Sequence, residues 1–200
     1  MPDTWCPPVT LKGNRVRLEP LAPKHAADLA EACDEHMFDF FPVYPDPLTK
    51  HGLESYIEMR VAMPATLPLA LIDKEKKRAI GSSSYYNINP AQRSLEIGHT
   101  WIAKPFRGTY ANPEMKLLML GHAFEKLDAV RVQFITDARN LQSQNAILKL
   151  GAKQEGVLRS NMVMPDGHLR DTHVYGILPQ EWPAIRASLQ ERLAKLEAQP

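Results

Sequence analysis

Two short stretches of this chain carry the residue types that a long phosphorylated ligand requires. The first is the turn Arg107-Gly108-Thr109, which directly precedes a predicted helix. Successive backbone N–H groups at a helix start bind anions well, and Gly108 allows the backbone to approach a ligand closely. The second is Asn140-Leu-Gln-Ser, where Asn140 and Ser143 bring two short polar side chains to the end of a predicted strand. Together they predict a site that holds a pyrophosphate at one end and an extended tail at the other.

The bulk composition excludes several other classes of function. A chain of 200 residues with a net charge of +1 suits one globular domain and gives no electrostatic case for nucleic acid or a membrane surface. Neither Gly-x-x-x-x-Gly-Lys nor Gly-x-Gly-x-x-Gly is present, which weakens a nucleotide site. The histidines and cysteines lack ligand spacing, so we predict no metal. Cys6 and Cys33 are expected to be free thiols, and without a signal peptide this predicts a cytoplasmic location.

The remaining pattern predicts the elements that position these two stretches. Residues 1–10 are proline-rich and are expected to form an arm, whereas three prolines and four aromatics in residues 37–48 predict an irregular loop. Thr49 is expected to cap a helix that buries Val61 among its apolar side chains, and Asn112 to cap a helix over residues 113–127. Predicted strands cover Leu67–Ile72, Ile80–Ile88, Ser94–Ile102, Arg131–Thr136 and a final hairpin over residues 157–178. The expected result is an α/β (α+β) fold, a mixed and mostly antiparallel sheet with four or five helices.

Several segments, in this order and spacing, resemble the GNAT superfamily of N-acetyltransferases, and within it the Rim-type enzymes that acetylate ribosomal protein N-termini. They are Leu11-Lys-Gly-Asn-Arg-Val-Arg-Leu-Glu-Pro-Leu, Leu95-Glu-Ile-Gly-His-Thr-Trp, Ala111-Asn-Pro-Glu-Met-Lys, Asn140-Leu-Gln-Ser, Gly151-Ala-Lys-Gln-Glu-Gly-Val-Leu-Arg, Arg170-Asp-Thr and Glu181-Trp-Pro. The resemblance implies one acetyltransferase domain over residues 11–182, with a C-terminal helix over residues 183–200 packed on it or extending it. It also implies that two central strands splay apart and that acetyl-CoA lies in the gap.

The resemblance assigns most of the cofactor contacts. Asn140 would bond the pantetheine arm and Ser143 would lie near the thiol, with Asn145 a weaker candidate. The alternative is that Asn140 only turns the chain and Ser143 caps the next helix. Tyr110 and Asn112 stand where the family has small residues, which leaves phosphate contacts to be supplied by side chains. Those candidates are Arg107, Thr109, Asn112 and Lys116, although Asn112 is equally a helix cap and Lys116 a solvated lysine.

Acetyl transfer from a thioester to an amine needs a base, an oxyanion donor and an acid for the leaving thiolate, but no covalent enzyme intermediate. By resemblance Glu96 is the expected base, with His99, a water chain or a purely structural Glu96 as alternatives. Ser143 is the expected acid and Tyr175 its rival. The oxyanion donor is expected to be a backbone N–H near Trp101–Ile102.

The acceptor side is expected to use the aromatic loop and the polar strand after it. Phe40, Tyr44, Ser83 and Tyr85 are the named candidates, with plain core packing as the alternative for each. The acceptor would be a primary amine, either a protein N-terminus or a small amine. A CoA-binding sensor or assembly module without catalysis is the competing hypothesis. The oligomeric state stays open, with a homodimer among the options.

Overall fold

A computed structural model describes residues 5–198 of the chain, in which one mixed sheet of eight strands is flanked by five α-helices. The strands are β1 (Leu11–Lys12), β2 (Val16–Pro20), β3 (Leu67–Asp73), β4 (Arg78–Asn89), β5 (Ser94–Ile102), β6 (Arg131–Asp137), β7 (Lys153–Val163) and β8 (Leu169–Ile177). The helices are α1 (Ala26–Ala32), α2 (Lys50–Ala62), α3 (Ala111–Glu125), α4 (Leu141–Leu150) and α5 (Trp182–Glu197). None of these helices has the length and apolar content needed to cross a membrane.

The sheet has the order β1-β2-β3-β4-β5-β6-β8-β7, and every neighbouring pair is antiparallel except β5 with β6. β5 and β6 run parallel and pair only over Ser94–Glu96 and Arg131–Gln133. Beyond those residues the two strands separate, and we call this gap the fork. The mixed, mostly antiparallel sheet with a central splay confirms the predicted fold.

The fork opens toward the starts of two helices. β5 leads through a short loop into α3, and β6 leads through three residues into α4. Because parallel strands end at the same edge of a sheet, the N-termini of α3 and α4 both lie at the open end of the fork. The sequence therefore places the two chemistry-bearing stretches, before α3 and before α4, on either side of one gap.

A bulge interrupts β5 inside the fork. The β4 register jumps between the pair Ser82–Trp101 and the pair Ser84–Gly98, so two β5 residues oppose one residue of β4. One of the two, His99, has a φ of +46°, a left-handed conformation that is uncommon for a non-glycine residue. Bulges of this kind re-aim side chains and bend the strand.

Each face of the sheet carries its own hydrophobic core. The first face packs against α3, α4 and α5, and its core includes Met115, Met119, Ile147 and Ile185. The second face packs against α1 and α2, and its core includes Leu29, Leu53, Ile57 and Trp101. Side chains that follow one another along a strand alternate between these two environments.

One predicted helix cap is confirmed, whereas one predicted buried residue and one other predicted cap are wrong. Thr49 caps α2 by accepting a hydrogen bond from the Gly52 amide at 3.2 Å, as predicted. Val61 is wrong as a buried residue, since it is 50% exposed, and Arg60 is the neighbour that turns inward. Asn112 is not the cap of α3, because the helix begins at Ala111 and the Ala111 amide donates to the Thr109 hydroxyl at 3.3 Å.

Both ends of the described chain pack on the domain. Trp5 donates its indole N–H to the Leu127 carbonyl at 2.8 Å, and Cys6 is buried beside it in the first core. Residues 1–4 of the predicted arm and residues 199–200 of the predicted C-terminal helix lie outside the described residues. At the other end, α5 stacks Trp182 on Phe124 of α3 at 5.9 Å between ring centroids.

Candidate active site

The turn before α3 presents backbone donors at the open end of the fork. Gly108 has a φ of +77°, a conformation that favours glycine, and no atom lies within 4 Å of where a Cβ would stand. Within residues 5–198, no backbone hydrogen bond engages the amides of Gly108, Thr109 or Tyr110. Three consecutive free N–H groups ahead of a helix form the arrangement that receives an anion.

Three side chains of this turn already have partners or fixed places in the protein. Arg107 donates to the Ile102 carbonyl at 2.9 Å and to the Asp34 carboxylate at 2.9 Å, so it braces the turn. The Thr109 hydroxyl donates to the Phe106 carbonyl at 2.8 Å. Asn112 is half-buried in the first turn of α3 and makes no side-chain cap.

Tyr110 fixes the start of α3 to the neighbouring strands. Its hydroxyl donates to the Asp73 carboxylate, and the guanidinium of Arg15 lies 3.6 Å above its ring. Burial and the Asp73 hydrogen bond raise the pKa of Tyr110 to about 12. The Arg15 amide donates in turn to the buried Glu114 carboxylate at 3.0 Å. The large residue that departs from the family pattern therefore turns away from the fork and anchors the helix.

The side chain of Lys116 lies on the first face of the sheet, between the separating strands β5 and β6. Its ammonium donates to the Thr100 hydroxyl of β5 at 3.0 Å and lies 5.5 Å from the ring centroid of Phe134 of β6. The Thr100 hydroxyl also pairs with that of Ser83 at 2.8 Å. No carboxylate of the described residues lies within ion-pair distance, and burial lowers the pKa of Lys116 to about 7. This residue bridges the two strands where they diverge.

Asn140 and Ser143 stand at the start of α4, across the fork from the phosphate turn. The Asn140 side-chain oxygen accepts from the Ser143 amide at 2.9 Å, so Asn140 caps the helix while its NH₂ group stays free for another acceptor. The hydroxyl of Ser143 makes no hydrogen bond within the described residues, and Asn145 is exposed along the same helix. Gly151, with a φ of +100°, ends the helix as predicted.

Glu96 lies on the second face at the last paired position before the fork. Its neighbours Leu95 and Ile97 belong to the first core, so alternation turns Glu96 the other way. The residue is 8% exposed, and its Oε1 accepts from the Asn87 side chain at 2.5 Å. Its Oε2 is buried and meets no hydrogen-bond geometry within residues 5–198, although the Tyr86 hydroxyl lies close enough that burial and then the Glu96 carboxylate raise the pKa of Tyr86. An unpaired, buried carboxylate oxygen beside the fork is available to accept a proton.

Tyr86, which the sequence did not single out, and His99, the alternative base, both lie beside Glu96 on the second face. Tyr86 pairs with Glu96 in the β4–β5 register, and its ring packs on that of His99 at 5.4 Å between centroids. Burial, then the charges of Arg60 and Arg170, lower the pKa of His99 to about 3. A histidine that stays neutral to such low pH makes a weak base, which argues against His99 as the base.

The four acceptor candidates do not lie together. Tyr85 is fully buried in the first core and donates to the Met119 carbonyl at 2.7 Å, and Ser83 points to the same face, toward Thr100. Phe40 is half-buried, with the guanidinium of Arg139 5.7 Å from its ring centroid, and Tyr44 is 42% exposed. The structure thus places Tyr85 and Ser83 away from the side that carries Glu96. The adjacent residue, Tyr86, lies on the side that carries Glu96. The sequence alone did not show which of the two tyrosines faces which side of the sheet.

No group of three or more His, Cys, Asp or Glu side chains in the described part of the chain is arranged to hold a metal ion. Burial raises the pKa of Cys6 to about 11 and that of Cys33 to about 12, so both thiols stay protonated at neutral pH. A protonated thiol is a poor nucleophile. The candidate reactive groups at the fork are therefore Glu96, Ser143 and the free amides.

Comparisons with known proteins all find acetyltransferases. The model of the acetyltransferase (GNAT) domain matches residues 15–153, more than half of the chain. The uncharacterized N-acetyltransferase YoaA of Bacillus subtilis (strain 168) is 28% identical over 150 residues, covering 68% of this chain and 84% of YoaA. A candidate acetyltransferase from T. thermophilus, solved as a crystal structure, has a TM-score of 0.88 at 40% identity and covers 95% of this chain and 100% of its own.

The Rim-type likeness lies in the fold. Mycobacterium smegmatis RimJ, solved in complex with CoA-disulfide, has a TM-score of 0.76 at 20% identity, covering 92% of this chain and 95% of RimJ. At that identity the likeness shows the architecture alone. The family model, the B. subtilis relative and the forked sheet agree, and the chain belongs to the GNAT acetyltransferases, enzymes of the acyltransferase class.

Proposed function

We propose that this enzyme transfers an acetyl group from acetyl-CoA directly to a primary amine, without a covalent enzyme intermediate. The amine would belong to a peptide or protein N-terminus or to a small molecule. The observation that carries the proposal is Glu96, whose Oε2 is buried and unpartnered among the described residues at the base of the fork. A base at that point meets an amine that enters from the second face.

The residues present fit coenzyme A. The free amides of Gly108, Thr109 and Tyr110 match a pyrophosphate, and the open space over Gly108 leaves room for it. Across the fork, the free NH₂ group of Asn140 matches a pantetheine carbonyl. Acetyl-CoA supplies the activated acetyl group as a thioester. We keep Arg107, Asn112, Lys116 and Asn145 as proposed contacts, with Arg107 acting from its bracing position beside Asp34.

Glu96 would accept the proton that the amine loses as its nitrogen forms the new bond to the acetyl carbon. The Asn87 side chain holds Oε1 and leaves Oε2 to take that proton. As the carbon–sulfur bond breaks, the Ser143 hydroxyl would donate a hydrogen bond to the departing thiolate. Beyond Glu96, β5 makes no pair with β6. We propose a backbone N–H of this stretch, near Trp101–Ile102, as the oxyanion donor.

The test is calorimetric titration of CoA and acetyl-CoA, followed by thiol release with a panel of peptides and small amines. Micromolar binding of both ligands together with amine-dependent thiol release is the expected result. Binding without release for any amine would contradict catalysis at Glu96, and no binding would contradict the cofactor site.

We also propose a homodimer and a cytoplasmic location. β7 forms the edge of the sheet, and the β7–β8 hairpin exposes Val157, Leu158, Val163 and Leu169. A long edge strand that also exposes apolar side chains offers a surface for a second copy. The free thiols of Cys6 and Cys33 suit a reducing compartment. Sedimentation at micromolar concentration tests the dimer, and a monomer there would contradict it.

A further inference from the structure

Two arginines on the second face lack the anion that their burial calls for. Arg60 of α2 is 2% exposed and Arg170 of β8 is 5% exposed. Arg60 donates to the Ser84 hydroxyl at 3.1 Å and to the Met63 sulfur at 3.3 Å. Within residues 5–198 the guanidinium of Arg170 makes no hydrogen bond, and its Nε is buried without a partner. Burying a cation without a counterion lowers the stability of the protein unless a bound anionic ligand pairs with it.

No carboxylate of the described residues neutralises either arginine at ion-pair distance. Asp137 is the acid whose charge acts on Arg170, but Arg139 already binds Asp137 at 2.9 Å. Glu96 is held by Asn87 instead. Neither guanidinium group therefore has a direct ion-pair partner among the described residues.

Both arginines lie near Tyr86, the β4 residue that pairs with the candidate base Glu96. Alternation along β8 puts Arg170 on the second face, since Tyr175 and Ile177 of the same strand lie in the first core. The fields of Arg60 and Arg170 act together on the rings of Tyr86 and His99, which lie beside Glu96. The aromatic loop closes this region from outside, with Phe41 5.9 Å from His99 between ring centroids.

We propose that the acceptor of this enzyme carries a carboxylate close to its amine, and that Arg60 and Arg170 bind that carboxylate while the amine faces Glu96. The inference rests on the proposed function and names its substrate class. Two sources share this chemistry, a free amino acid and a peptide that begins with Asp or Glu. Polyamines and basic peptides are excluded, because their second charge would meet two arginines.

The experiment compares matched acceptors. Thiol release from acetyl-CoA is measured with common amino acids against their carboxamides, and with peptides that begin with Asp or Glu against the Asn and Gln forms. The carboxylate member of at least one pair is expected to have a kcat/KM roughly 10- to 100-fold higher. A preference confined to the first set identifies a free amino acid, and one confined to the second identifies an acidic peptide.

Variants of Arg170 then test whether this arginine causes the preference for the carboxylate acceptor. In Arg170→Met the ratio within the preferred pair is expected to fall toward one, and in Arg170→Lys to be partly retained, because charge remains but the planar fork is lost. Arg192→Met removes an exposed arginine on α5 and should keep the wild-type ratio. Because Arg170 makes no hydrogen bond in the described structure, its replacement should not unfold the protein.

A binding measurement distinguishes failure of the carboxylate preference from failure of the proposed acetyl transfer. N-acetylated members of the same pairs, which cannot react, are titrated into protein saturated with CoA. Turnover with a ratio near one in every pair, and equal binding of acid and carboxamide, would overturn this inference and leave the proposed function standing. If CoA itself does not bind, the proposed function fails and this inference fails with it.

Discussion

Single residues at the fork carry charge in places where charge is costly. Lys116, Arg60 and Arg170 are all buried and none has an ion-pair partner among residues 5–198. In each case burial lowers the pKa, since the charged form loses its hydration. Such groups lower stability, and a protein retains them where a ligand or a reaction uses them.

Lys116→Met should therefore change the pH dependence of stability. The pKa of Lys116 is about 7 in the folded protein, below the ordinary 10.5. Above pH 7 the unfolded chain holds a proton that the folded protein has released, so stability rises with pH until the unfolded group also titrates. From about pH 6 to about pH 9 the wild type should gain roughly 2–3 kcal/mol relative to Lys116→Met.

Urea denaturation of both proteins at several pH values measures this difference. Lys195→Met, which removes an exposed lysine of α5, should show no such pH-dependent gain. A difference between wild type and Lys116→Met that stays constant with pH would contradict a neutral, buried lysine at neutral pH.

Glu96→Gln should lower kcat by at least about 100-fold, because the amide cannot accept the proton of the amine. The Asn87 side chain can still donate to the glutamine oxygen, so the fold and the affinity for CoA should be nearly unchanged. Strongly reduced thiol release at unchanged CoA affinity is the expected result, and Glu191→Gln on α5, the control, should keep wild-type turnover. Wild-type turnover would assign Glu96 a structural role.

At the scale of elements, most of the sheet and helices could be predicted from the sequence. Alternation and turn residues located β3, β4 and β5 to within a residue or two, and Gly151 marked the end of α4. The start of α3 was missed by two residues, because Thr109 and Asn112 are both good caps and only tertiary contacts of Tyr110 decide between them.

The positions of side chains at the site were harder to predict than the elements. Ser83 and Tyr85 occupy the strand that was expected to face the acceptor, but they point to the opposite core. The burial of Arg60 on α2 was not predicted, since nothing local in the sequence shows that its guanidinium will donate to Ser84. Pairing between distant elements sets these directions, and a single sequence does not record it.

Asn140 caps α4 and is also the proposed contact to the pantetheine arm, and these two roles can be tested separately. Asn140→Ala removes both the cap and the free NH₂ group, so it should cost about 1 kcal/mol of stability and weaken CoA binding by about 1–2 kcal/mol. Asn140→Asp keeps the capping oxygen, and it should retain stability while still losing CoA affinity. Calorimetry and urea denaturation measure the two effects. Full affinity in Asn140→Asp would leave Asn140 as a cap only.

At the scale of the whole molecule, α5 belongs to the core. Trp182, Ile185 and Leu189 are buried, and Trp182 donates to Glu125 of α3 at 2.8 Å. Trp182→Ala should therefore lower the free energy of unfolding by about 3–5 kcal/mol. Urea denaturation followed by circular dichroism should show one shifted transition, whereas Gln190→Ala on the exposed side of α5 should leave it unmoved. A separate early transition would show that α5 folds independently.

The bulge in β5 makes this strand more sensitive to length than to composition. Trp101 packs in the second core and Ile102 in the first, and both directions depend on the extra residue at His99. Deleting that one residue would restore a regular strand and exchange the two side chains between the cores. Over this segment a lost codon is therefore more damaging than any conservative replacement, and the strand is expected to keep its length where its sequence varies.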